Sequence, residues 1–175
     1  MTVRTKAKIK KYGLYILMLI LAGIFQNTLH IFPSIYGIRP ILLIQVAVSI
    51  AMFEGEVVGA VAGFLAGALW DIVTVSADGY VAFYLMVTCA ICGMLLRILM
   101  RNNFITFIIM NGSITTIFFL FYALLFVGAR GIYGSFYMIL RAYLPMVIYS
   151  LLLSPIFYYL VRAINRKYTV DYDII

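Results

Sequence analysis

Residues Gly55 to Asp71 read GEVVGAVAGFLAGALWD, and the fold is decided in this stretch. Apart from Glu56 and Asp71 it carries no charge, and the apolar run continues to Val75. A helix of about 20 such residues crosses a hydrocarbon layer roughly 30 Å thick. Gly55, Gly59, Gly63 and Gly67 recur every four residues, and Asp71 continues the row. A period of four drifts slowly around a helix of 3.6 residues per turn, so all five fall on one gently winding stripe. Glycine has no side-chain bulk, and a row of glycines lets another helix approach the backbone closely. The spacing is specific for close helix contact. It leaves open whether the partner is a helix of the same chain or a separate membrane protein.

The rest of the chain agrees with a membrane reading. It has 175 residues, of which 66% are hydrophobic and 11% charged, against roughly half and a quarter in soluble domains. A water-soluble fold of this size would expose much of that apolar surface and aggregate, and a disordered chain would need far lower hydrophobicity. The fold class is therefore an all-α polytopic membrane protein, a single integral membrane domain over residues 1–175. Six apolar segments are expected to span, at about residues 13–32, 41–53, 57–75, 80–100, 104–129 and 136–161. A basic cytoplasmic tail (1–12) precedes them and a second cytoplasmic tail (162–175) follows. The first segment is too long for a signal-peptide core and no A-x-A-like site follows it, so it reads as an uncleaved span.

Charge orients the spans. With six spans and the N-terminus inside, ten of the 13 basic residues lie on the cytoplasmic side: Arg4, Lys6, Lys8, Lys10, Lys11, Arg97, Arg101, Arg162, Arg166 and Lys167. Only Arg39, Arg130 and Arg141 lie outside. The segment at 41–53 is short for a span, but treating it as re-entrant leaves the basic residues almost evenly divided, against the positive-inside rule. The net charge of +7 is thus topology rather than a nucleic-acid interface, which needs an exposed basic face. Cys89 and Cys92 form a C-x-x-C inside an apolar run and read as small packing residues, not as a redox pair or zinc site.

The few polar residues inside the spans are the candidate site. Asp71 lies about 6 Å below the outer end of its helix at 1.5 Å per residue, where a carboxylate is costly unless paired. Arg141 is expected at similar depth. Either the two form an intramembrane charge pair, or Asp71 caps a helix end and Arg141 snorkels to the interface. Gln26, Asn27 and His30 form a polar cluster near the outer end of the first span. With one histidine in the chain, interhelical hydrogen bonding fits them better than a metal site. Gln45, Asn111 and Thr115 suit the same bonding role, and Pro145 and Pro155 should bend the last span. Tyr12, Tyr15, Trp70 and Tyr80 lie near interfaces as an aromatic belt. No H-E-x-x-H, phosphate loop or G-x-S-x-G occurs. The expectation is a non-enzyme that binds no cofactor.

Arg39-Pro40, then Phe53, then Gly63-Phe64-x-x-Gly67-x-x-x-Asp71 and finally Gly79, in a chain under 200 residues with a basic N-tail, resemble the MreD family of bacterial rod shape-determining membrane proteins. The family often carries an acidic residue soon after the Arg-Pro; here Ile41 and Leu42 follow. The resemblance implies a six-helix bundle similar to the S components of energy-coupling-factor transporters. It implies a non-catalytic scaffold of the elongasome in the bacterial inner membrane, associated with MreC, through it with RodA and its penicillin-binding transpeptidase, and indirectly with MreB filaments. A second class, a vitamin-binding S component, would want a small-residue docking face such as A-x-x-x-A on the first span. It would also want an outward polar pocket, which Gln26, Asn27, His30, Asp71 and Arg141 suffice to line.

Overall fold

A helix that is apolar on every side belongs inside other helices. In the computed structural model α2 (Leu42–Glu54) takes that place, with every residue from Leu42 to Met52 buried. Around it stand α1 (Val3–Asn27), α3 (Glu56–Val73), α4 (Tyr80–Ile98), α5 (Phe104–Tyr122) and α6 (Ser135–Val170). All five touch α2, and they close a ring in the order α1, α3, α4, α5, α6. The α3–α4 contact is the most intimate, and α4 touches α5 least. The structure describes residues 3–28, 40–73, 79–98, 103–122, 124 and 135–170, without the side chains of 3–6, 122, 135–144, 169 and 170.

The expectation of six transmembrane helices is corrected in one respect. Five helices are long and apolar enough to cross a membrane; α2, at 13 residues, is not. Thirteen residues rise only about 20 Å. Because α2 is ringed by protein, it needs no full-length apolar span of its own. The other helices also depart from the segments read from hydropathy. α1 begins at Val3 and α6 runs on to Val170, because Lys and Arg are good helix formers and nothing stops the helix at the apolar boundary.

Consecutive helices run in opposite directions, so two ends of the bundle can be told apart. One, here the basal end, gathers Lys11, Glu54, Glu56, Arg97 and Asn165. The other, the distal end, holds Gln26, Pro40 and Ile41, with Asp71 beside the start of α4. Gly55 is the single non-helical residue between α2 and α3. Its φ of 87° lies where side-chain-bearing residues rarely go, and that freedom reverses the chain in one step. Gly79, with φ 79°, starts α4 in the same way.

α6 continues through Pro145 and Pro155. Proline at 155 has no N–H for the carbonyl four residues back. The Ser154 hydroxyl donates to that Leu151 carbonyl at 2.7 Å instead. Aromatic side chains fill the gaps between helices. At the basal end Phe53, Phe104 and Phe107 surround Tyr158. Toward the distal end Trp70, Tyr80 and Tyr84 pack on Phe118. That second group bridges the thin α4–α5 seam, where the Tyr84 hydroxyl also donates to the Ile114 carbonyl at 2.8 Å.

Candidate functional site

The glycine row is spent on α4. A methyl group added at Gly63 would meet the Leu85 carbonyl, and one at Gly67 the Ala82 backbone, both closer than 3.0 Å. At Gly59 it would fall 2.7 Å from the Ala51 side chain of α2. The α4 face that receives the row is itself made of small residues, with Ala82, Cys89, Cys92 and Gly93 all buried. Gly93 answers the row directly, because a Cβ there would strike Gly55 and Glu56. This is why Cys89 and Cys92, both free and buried, sit where they do. Of the two partners left open for the stripe, a helix of this chain is the one that occupies it. Gly55 differs from its three companions: a Cβ there would meet open space, and its part is the backbone turn. Phe64 points the other way and is half exposed on the outer face of α3.

The polar side chains close helix ends. The first N–H groups of a helix have no partner within the helix, and inside a membrane water cannot serve them. At α2 the Gln26 side-chain oxygen accepts from the Leu42 and Leu43 amides at 2.9 and 3.1 Å. The Ser150 hydroxyl of α6 accepts from the Ile41 amide at 2.9 Å. At α4 one carboxylate oxygen of Asp71 accepts from the Ala82 amide at 2.9 Å. A negative group there also faces the positive end of the α4 dipole. Asp71 therefore caps a helix end, that of α4 rather than its own. Asn27 donates back to the Gly23 carbonyl of its own helix at 2.8 Å, and Pro40 is buried beside the start of α2. His30, Arg39 and the Arg141 side chain lie outside the described residues.

The basal end holds a group that the sequence reading missed. Lys11 of α1 and Glu54 of α2 form an ion pair at 2.5 Å, with their side chains only 10% and 9% exposed. The Tyr15 hydroxyl donates to the same Glu54 oxygen at 2.8 Å. Lys11 also donates to Asn165 of α6 at 3.3 Å, and the Asn165 amide donates to the Phe53 carbonyl at 3.2 Å. Three helices are thus tied by one charge pair. Lys11 hides in a basic run and Glu54 beside a turn, so each alone reads as topology. The available signal was the four-residue spacing of Lys11 and Tyr15, which puts a cation and a hydroxyl on one helix face. Outside this group, Arg97 pairs with Glu56 at 2.7 Å, in an exposed position.

Nothing in this constellation positions a nucleophile against a base. Among the described residues no three His, Cys, Asp or Glu side chains converge as metal ligands do. The groups hold helices together, and what they hold is a helical membrane bundle with a short buried core helix and a closely packed α3–α4 pair. Residues 8–168 match the family described as rod shape-determining protein MreD. With nearly its whole length matched, the chain belongs to the MreD family of rod shape-determining membrane proteins. Comparison with curated proteins and with solved structures gave no match.

Proposed function

We propose that this chain is a non-catalytic scaffold of the elongasome. In that role it is required for rod shape and lateral peptidoglycan synthesis, through association with MreC and, by way of MreC, with RodA and its penicillin-binding transpeptidase. MreB filaments are engaged indirectly. The observation that carries this reading is the family match over residues 8–168. It is supported by the economy of the bundle: the glycine row and the capping side chains are engaged internally. The outward faces, represented by Ile16, Val61, Phe83, Ile109 and Leu152, are apolar and suit lipid or a partner's membrane helix. On this reading the protein sits in the bacterial inner membrane. Its basal end, with Lys11, Arg97 and Arg162, faces the cytoplasm, as the positive-inside rule favours. One buried helix ringed by five is also read here as a bundle of the S-component type.

The vitamin-transporter reading is the weaker one. Its motor-docking face needs small residues turned outward on α1, whereas Ala22 is buried toward the bundle and its exposed neighbours are Leu17, Ile20, Leu21 and Ile24. Depletion followed by microscopy tests the choice. The scaffold reading expects rod cells to round up while the protein co-purifies with MreC. Normal shape together with a new vitamin requirement would overturn it.

A further inference from the structure

Several polar side chains are fully buried inside this apolar bundle, and two of them, both carboxamides, are given no task by the scaffold reading. Gln45 and Ser49 of α2, Asn111 and Thr115 of α5, and Ser150 and Ser154 of α6 are all fully buried. The hydroxyls are accounted for locally. Ser49 donates to the Gln45 carbonyl at 2.7 Å and Thr115 to the Asn111 carbonyl at 2.8 Å. Ser150 and Ser154 likewise donate within α6. The two carboxamides are different. Neither side-chain atom of Gln45 nor of Asn111 has a hydrogen-bond partner among the described residues. A buried amide left so costs about 1–3 kcal/mol per group, and hydrocarbon offers no substitute.

The two amides face one region. Phe53 and Phe104 both pack on Tyr158, so the basal ends of α2 and α5 are level. Counting from there at 1.5 Å per residue, Gln45 and Asn111 lie roughly 12 and 10 Å up, the same depth within a few ångströms. On α2, Leu43 faces Gly23 of α1 and Ala51 faces Gly59 of α3, while Phe53 faces α6. At about 100° per residue the remaining direction, toward α4 and α5, belongs to Gln45. On α5, Phe107, Asn111 and Phe118 fall on one face, within about 40° of one another at about 100° per residue; Phe107 packs on α6 and Phe118 on α3 and α4. That is the face turned to α2.

We propose that Gln45 and Asn111 line one binding site between α2 and α5 for a neutral group that both donates and accepts hydrogen bonds: water, or the hydroxyl or amide of a bound organic molecule. Each carboxamide offers donors and an acceptor, so the pair matches such a group from both sides. A charged occupant is disfavoured. The one buried cation among the described residues, Lys11, is at the basal end and already paired.

Two measurements on the full-length protein test this, in detergent and after extensive delipidation. The first is a thermal-unfolding cycle with near-isosteric Gln45→Met and Asn111→Leu. Each single should lower the midpoint by roughly 3–6 °C, by stranding the other amide's occupant. The double should recover most of that loss. Additive losses would show that the two residues do not share a site. The second places a thiol in the site with Gln45→Cys or Asn111→Cys and uses a small neutral thiol reagent as the probe. Native Cys89 and Cys92, in the dry α3–α4 contact, serve as internal controls. The new thiol should react about tenfold faster than they do. Fast reaction before delipidation identifies water as the occupant, and fast reaction only afterwards identifies a displaced organic molecule. Reaction no faster than Cys89 in both preparations would overturn the proposal.

Discussion

Lys11 and Glu54 bury opposite charges at the edge of an apolar bundle, and at the scale of single residues they are the costliest contact to break. Desolvating an ion pair roughly cancels its Coulomb gain, but removing one partner strands the other. Lys11→Met or Glu54→Met alone should therefore cost about 3–5 kcal/mol, whereas the double substitution should come close to the native stability. Equilibrium unfolding in detergent measures all three. Additive losses in the double variant would show that the pair is not the unit. Asp71 illustrates the other use of a buried charge. Its carboxylate meets an α4 backbone amide at the positive end of a helix, a position that favours an anion without requiring a cation. Its second oxygen has no partner among the described residues.

Between elements, what matters is how near two backbones can come. At Gly63 the obstacle to any side chain is the Leu85 carbonyl, which is backbone and cannot swing aside. Gly63→Ala should force α3 and α4 apart and destabilise the bundle by about 2–3 kcal/mol. Gly13 is the matched control. Nothing lies within 4 Å of a Cβ there, so Gly13→Ala should gain up to about 1 kcal/mol of helix propensity. Thermal scanning of both variants separates close contact from a general effect of glycine. Equal responses at the two sites would remove the packing role assigned to the row. Legibility in the sequence follows the same division. The four-residue period of Gly59, Gly63 and Gly67 announces a close contact. Of its receiving face only Cys89 and Cys92 read as small packing residues; Ala82 and Gly93 go unread, because the four residues are of three types and form no single repeat. Gly55 keeps the period while serving a turn, because spacing reports position on a helix and not backbone conformation.

For the whole molecule the open matter is direction in the membrane. With six antiparallel helices, α1 starts and α6 ends at the basal end, which carries the basic residues of both. A fluorescent reporter that matures only in the cytoplasm should be active at either terminus, and a phosphatase active only outside should stay silent at both. A split result would overturn the placement of both termini in the cytoplasm.

Composition and period alone determined that this chain is a helical membrane protein with six apolar segments, and that α3 is built for close contact. These are local properties, written in runs of residues and legible because hydrocarbon tolerates so few sequences. Only the tertiary structure decided that the weakest segment, Leu42–Glu54, is the centre of the bundle. It also decided that Gln26, Ser150 and Asp71 cap helices other than their own, and that Lys11 and Glu54 are a pair. Each of these joins residues brought together from different helices. Burial of a short helix and the completion of a cap depend on which neighbours surround it, and no spacing along one segment encodes that.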